Sequence, residues 1–267
     1  MSRCSWRCAC VGIVLGACGP GPRQPPPQSV TAVGTLIATA PRTVRDDRNG
    51  IELVLVRNGE FTMGGAGRDE VPRHRVRLTE AYWLARTEVT IRQWRAFLDA
   101  GGTSDAPVPT ADENLPMPAS HDDAVAFCRF YGYTLPTEAQ WEWACRAGDD
   151  SVPTSIDLEA MRAHAWYHHN AGEHAMPVGT RTANAFGLRD MLGNVWEWCS
   201  DWYVPYAPAE RPCVDPHGPD LGVERVLRGG SWFSLPPALP STRAHEPPSR
   251  RSAFFGFRPA CARSAFE

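Results

Sequence analysis

Every clear helix signal in this chain lies between Thr90 and Gly148, and that confinement limits the fold more than any single motif does. Thr90 precedes Ile91, Trp94, Phe97 and Leu98, and Gly101-Gly102 stops the run. Ser120 and Asp123 have capping-box spacing ahead of Ala124, Phe127, Cys128 and Tyr131. Thr137 and Gln140 repeat that spacing ahead of Trp141, Ala144 and Cys145, and Gly148 closes the third helix. Upstream, residues 52–56 and 73–83 read as strands, the latter with Val76 and Leu78 alternating against Arg75 and Arg77. From Ala165 to Pro259 the pattern is one of short strands between long turns, clearest at residues 225–233 and 254–258. The 23 Gly and 25 Pro among 267 residues suit such turns, and ten Trp supply bulk for a core. With no βαβ repeat, the expected class is α+β, loop-rich and low in regular secondary structure.

The first residues read as an address. Arg3 and Arg7 precede an apolar run from Val11 to Ala17, too short to cross a bilayer, which takes about 20 residues, so it reads as a secretory signal. It ends in Leu15-Gly16-Ala17-Cys18, similar to a bacterial lipobox, which makes Cys18 the expected lipid-bearing N-terminus. Residues 1–17 are therefore expected to be a signal peptide. Residues 18–48 form a lipid-anchored tether in which Pro20, Pro22 and Pro25-Pro26-Pro27 favour extended polyproline geometry. No second Pro-rich linker, charge block or repeat divides residues 49–263, which are expected to form one domain. The expected location is exported, held at the bacterial cell envelope by the lipid alone.

All 27 basic residues are Arg, which excludes a Schiff-base lysine, a pyridoxal phosphate anchor and a Walker-type phosphate loop. The formal charge of −3 becomes more negative once Arg3 and Arg7 are removed, so neither a nucleic-acid footprint nor attraction to anionic lipid is expected.

Seven segments then recur in a recognisable order: Phe61-Thr62-Met63-Gly64-Gly65, Thr87-Glu88-Val89-Thr90, residues 135–142 (Leu-Pro-Thr-Glu-Ala-Gln-Trp-Glu), Asn184-Ala185-Phe186-Gly187-Leu188, Gly193-Asn194-Val195-Trp196-Glu197-Trp198, Arg228-Gly229-Gly230-Ser231-Trp232 and Gly256-Phe257-Arg258. Together they resemble the formylglycine-generating enzyme family, the sulfatase-modifying factors, over nearly all of residues 51–260. The resemblance implies a loop-rich fold related to the C-type lectin fold. It also implies a chemistry: active members oxidise a cysteine of a Cys-x-Pro-x-Arg segment to formylglycine with oxygen, using copper(I) on two cysteines just after the Gly-Gly-Ser-Trp-like turn. Soft thiolates select copper(I). Here those two positions are Ser234 and Leu239, and no Cys lies between Cys213 and Cys261, so copper is not expected. Ser231, Trp232 and Arg243 remain as candidates for the old cleft; Arg243 belongs to a basic group with Arg250, Arg251 and Arg258.

The resemblance further implies a calcium site from the Asn194 and Glu197 side chains and the Val195 carbonyl, hard oxygen donors that suit the ion. At the family's other calcium site the aligned position is His164, which puts that site in doubt. His164, His168, His169 and His174 crowd into one segment, and His164 to His168 has the i, i+4 spacing of a helical metal pair. The adjacent Glu of a zinc protease helix is missing and Asn170-Ala171-Gly172 argues for a turn, so solvated loop histidines are expected. Nonheme-iron relatives take most of their ligands from a helical domain for which this chain has no room. An exported location permits disulfides. The family's usual bridge would join Cys128 to Cys261, Cys199 with Cys213 would make a second, and Cys145 would be inert packing. No Gly-x-Ser-x-Gly elbow surrounds Ser231.

The expected function is therefore binding of a protein, peptide or carbohydrate ligand by a family member without the copper thiols. The alternative is an oxidoreductase of the same family acting on a protein or small molecule through a different metal site. A third reading, a variable ligand-display lipoprotein, is weakened because residues 232–257 contain no Asn.

Overall fold

A computed structural model describes residues 42–150, 158–235 and 242–266 of the chain. The first strand, Thr43–Asp46 (β1), lies before the expected domain boundary and pairs antiparallel with Ile51–Val56 (β2). Next to β2 runs Tyr82–Ala85 (β5), and next to β5 runs Ala260–Ala262 (β13), so chain ends and middle meet in one four-stranded sheet. A second sheet joins Trp196–Trp202 (β8), Arg225–Arg228 (β10), Arg243–Glu246 (β11) and the short Phe255–Gly256 (β12), in the order β11-β10-β8-β12. Gly59–Met63 (β3), His74–Leu78 (β4) and Cys213–Val214 (β9) form a third; Ala165–Trp166 (β6) and Leu192–Gly193 (β7) form a parallel pair.

The three expected helices are present with their caps. Ile91–Asp99 (α1), His121–Tyr131 (α2) and Glu138–Arg146 (α3) each start with a reciprocal capping box, formed by Thr90 with Gln93, Ser120 with Asp123, and Thr137 with Gln140. A fourth, Leu158–His164 (α4), was not expected. Helices α1 and α2 bury an aromatic cluster: Trp94 stacks on Phe127 at 5.8 Å and 11°, with Phe97 and Phe257 at the edges. Loops connect most of these elements, as the glycine and proline content requires.

Two strand expectations change. Residues 73–83 are not one strand, because the Thr79 N–H and hydroxyl both donate to the Asp215 carboxylate and turn the chain from the β4 sheet to the β5 sheet. Residues 225–233 are strand only to Arg228, after which Gly229 and Gly230 adopt φ +98° and +79°. A Cβ on Gly229 would meet the Trp141 ring at 3.0 Å, so this turn demands glycine twice over.

Candidate functional site

The Gly193–Glu197 segment leaves β7 through a tight left-handed turn and enters β8. Gly193 has φ +78°, and a Cβ there would lie 1.9 Å from the Trp166 carbonyl oxygen. Asp190 and Asn194 both sit at φ +56°, a conformation that L side chains adopt only when their surroundings hold them. This backbone turns Asp190, Asn194 and Glu197 into the interior, where Glu88 joins them from the segment before α1.

Two of the expected calcium ligands, Asn194 and Glu197, are hydrogen-bonded there within the protein. Glu197 accepts from Arg258 Nε and Nη2, both at 2.6 Å, and from the Trp141 indole N–H at 2.6 Å. Asn194 Oδ1 accepts the Met176 N–H at 2.9 Å, while Asn194 Nδ2 donates to Glu88 Oε1 at 3.0 Å. Val195 is buried against Gly256. The open oxygens belong instead to Glu88 and Asp190: Glu88 Oε2 and Asp190 Oδ1 are buried without a hydrogen-bond partner. Burial, then repulsion from Asp190 and Glu197, raises the Glu88 carboxyl well above the usual carboxylate range. Burial likewise raises Asp190, against the hydrogen bond from Gly179. Among the described residues no group of three or more His, Cys, Asp or Glu is placed to hold a metal ion, and Glu197 is paired with Arg258. The carboxylate and carbonyl oxygens of this loop are hard donors of the type that suits calcium.

The Gly229–Ser234 turn lies against the same loop, since Trp232 N–H donates to the Asn194 carbonyl at 2.7 Å and Gly193 N–H to the Gly229 carbonyl at 2.8 Å. Ser231 is buried. Ser234 closes the turn, its hydroxyl accepting the Ser231 N–H at 2.9 Å and its carbonyl accepting the His168 N–H at 3.1 Å. The Trp232 and Phe254 rings stack at 4.8 Å and 27°, and Phe233, 57% exposed, packs on both and on His168. Leu235 is 68% exposed. The turn thus presents an aromatic shelf beside Ser234. Leu239 lies outside the described residues, as does Cys18 with the expected signal and most of the expected tether.

Arg243 is the third cleft candidate. It is buried, pairs with Glu138 at 2.8 Å, and lies between the Tyr203 and Tyr206 rings. Its basic character is spent inside an ion network that sequence reasoning missed: Glu142 accepts from Arg146 and Arg228, and Tyr206 donates to Glu138. Arg251 chelates Asp123, and Arg258 is wholly interior. The alternation of Glu138 and Glu142 with the Trp residues of α3 was the available signal, because a carboxylate on an apolar face needs a buried cation.

Asp201, under the start of α3, accepts the Glu138 N–H at 2.9 Å; burial and then the Glu138 charge raise its carboxyl to about 7. The unfolded chain loses that proton near pH 3.8, the folded one near 7. This contribution to stability is therefore complete below pH 4 and disappears as pH rises to 7. Asp201→Asn is expected to leave the urea midpoint unchanged at pH 4 and raise it at pH 8, by up to about 4 kcal/mol in unfolding free energy. Equal midpoint shifts at the two pH values would contradict this.

His164 ends α4 and its Nδ1 lies 3.1 Å from the Thr182 carbonyl, so His164 and His168 do not share a helix. His168, His169 and His174 are exposed on the following loop, as expected of solvated histidines.

The expected disulfides are absent: Cys128, Cys145, Cys199 and Cys261 are free thiols. Cys199 faces its own strand, its sulfur 4.0 Å from the Glu197 carbonyl, rather than making a bridge to Cys213. Cys128 and Cys261 pack in one apolar cluster as unbonded neighbours. Burial pushes every one of these thiols up, Cys145 to about 12 and Cys261 to about 11, away from the thiolate form.

Comparison with known proteins accords with this geometry. Residues 39–265 match the sulfatase-modifying factor enzyme 1-like domain. The formylglycine-generating enzyme of Streptomyces coelicolor is 39% identical over 167 residues, covering 55% of this chain and 51% of that protein. That of Thermomonospora curvata is 30% identical over 252 residues, covering 68% and 82%. The serine/threonine-protein kinase pkn1 of Chlamydia pneumoniae is 32% identical over 242 residues, of which this chain spans 38% of the kinase's length. Among solved structures, PvdO from Pseudomonas aeruginosa superposes with a TM-score of 0.73 at 25% identity, covering 84% of this chain and 99% of PvdO. Treponema denticola variable protein 1 gives 0.70 at 26%, with the same coverage. On the match across residues 39–265, this chain belongs to the family of the formylglycine-generating enzymes, the sulfatase-modifying factor enzyme 1-like domain proteins.

Proposed function

We propose that this chain is an exported, lipid-anchored member of the family that binds a peptide or carbohydrate ligand and does not carry out copper-dependent cysteine oxidation. Ser234 carries this reading. It stands where the resemblance puts the first copper thiol, its hydroxyl is used to close the Ser231 turn, and the neighbouring Phe233 ring is exposed. A hydroxyl and an alkyl group at positions 234 and 239 offer copper(I) no soft ligand. The Cys128, Cys145, Cys199 and Cys261 thiols lie in the interior and resist ionisation. The exposed Phe233 ring suits the apolar side of a sugar ring or an extended peptide.

Anchoring rests on Leu15-Gly16-Ala17-Cys18. A structural calcium ion, held by the loop that supports the shelf, completes the reading. Full-length protein made with its own N-terminus is expected to carry a lipid mass on Cys18, to retain no stoichiometric copper after copper(I) loading, and to leave a Cys-x-Pro-x-Arg peptide unoxidised under oxygen. Stoichiometric copper together with an aldehyde on that peptide, read by mass spectrometry, would restore the enzymatic reading.

A further inference from the structure

Arg181 is held in one place by its neighbours, yet among the described residues no acceptor takes an N–H of its guanidinium. The geometry points to an oxyanion site on Arg181, one that the proposed function does not use, which takes a carboxylate or phosphate group. The guanidinium carbon lies 3.5 Å from the centre of the Trp166 ring, so one face of the fork is covered. Trp166 is itself fixed. Its indole N–H donates to Thr180 Oγ1 at 2.9 Å, its backbone pairs with Gly193, and its carbonyl accepts the Asn194 N–H at 2.8 Å. The main chain on either side of Arg181 is tied down as well: the Thr180 hydroxyl donates to the Pro177 carbonyl, the Thr182 N–H to the Ala163 carbonyl, and the Arg181 carbonyl accepts from Arg189 Nη1.

Of the three guanidinium nitrogens, Nε is buried without a partner, while Nη1 and Nη2 reach the surface with their donors unspent. The nearby carboxylate does not use them. Asp190 acts on the Arg181 charge, but its Oδ2 takes the Gly179 N–H and its Oδ1 has no donor. Burial raises the Asp190 carboxyl, which limits its repulsion of an incoming anion. Burial also weakens the hold of Arg181 on its proton, and Arg162 from α4 acts in the same direction by adding a second positive charge. An anion at the Nη edge offsets both effects. A stack of the same kind elsewhere shows the contrast: Arg225 lies 3.4 Å from the Trp202 ring centre, but its Nη1 donates to the Ser200 carbonyl at 2.5 Å. Arg228, Arg243 and Arg258 each face a buried carboxylate. A guanidinium fixed on a ring with its outer fork open matches an oxyanion, whose two oxygens accept from Nη1 and Nη2 in parallel.

The test titrates the full chain with inorganic phosphate and, separately, with acetate at constant ionic strength, followed by calorimetry and by the Arg Nε–H and Trp indole N–H signals in NMR spectra. Wild type is expected to bind at least one of these anions saturably, with shifts confined to the Arg181 Nε–H and the Trp166 indole N–H. Arg181→Gln is expected to weaken binding about tenfold or more, and Arg181→Lys, which keeps the charge and loses the fork, nearly as much. Should either variant fail to fold, the position of the wild-type NMR shifts decides the point. Saturation by phosphate alone assigns a phosphate-bearing ligand, and saturation by acetate as well assigns a carboxylate-bearing one. Wild type that binds neither anion saturably overturns the inference. So does binding that Arg181→Gln or Arg181→Lys leaves intact, because charge without the fork then suffices.

Discussion

Arg258→Met is expected to lower the unfolding free energy by about 3–5 kcal/mol, seen as a large fall in the urea midpoint at unchanged slope. Arg258 is fully buried and holds Glu197 through two hydrogen bonds of 2.6 Å while satisfying three backbone carbonyls. Its loss strands Glu197, 1% exposed, beside Glu88 and Asp190, whose carboxyls already resist ionisation. The cost comes from the stranded anion more than from the lost bonds. Glu197→Gln in the Arg258→Met background should therefore recover part of the loss, a coupling that a double-mutant cycle measures. If the two substitutions simply add, the pair is not the unit described.

Trp94→Ala should be of similar size, about 3–5 kcal/mol, because it removes the ring around which Phe97, Phe127 and Phe257 pack and leaves a cavity between α1 and α2. Trp94→Phe should cost much less than the ring's size suggests. The Trp94 indole N–H is buried without a partner, and a phenyl ring restores most of the contact while removing that unsatisfied donor. Urea unfolding of the two variants distinguishes them; equal losses would overturn this account of the indole N–H.

The sequence made the local elements legible. Each helix start rests on a hydrogen-bond pair three residues apart, so Thr90, Ser120 and Thr137 announce α1, α2 and α3 without reference to the rest of the chain. The break in residues 73–83 was not legible, because Asp215, which turns the chain at Thr79, is 136 residues away. The burial of Arg243 was not legible for the same reason: a basic group after the Gly-Gly-Ser-Trp turn reads as surface until Glu138 is brought to it from α3.

Read alone, the sequence determined the family signature, the α+β class and the absence of Cys at positions 234 and 239. Short-range bonding and identity at a position are written directly in the chain. Only the tertiary structure decided which carboxylates are paired and which are open. Glu197 stands in the motif that pointed to calcium, yet Arg258 occupies it; Glu88 and Asp190 drew no notice as a pair, yet their buried oxygens are the ones without partners. A charge's role in a protein interior depends on which groups folding brings within a few ångströms of it, and sequence spacing carries no record of that distance.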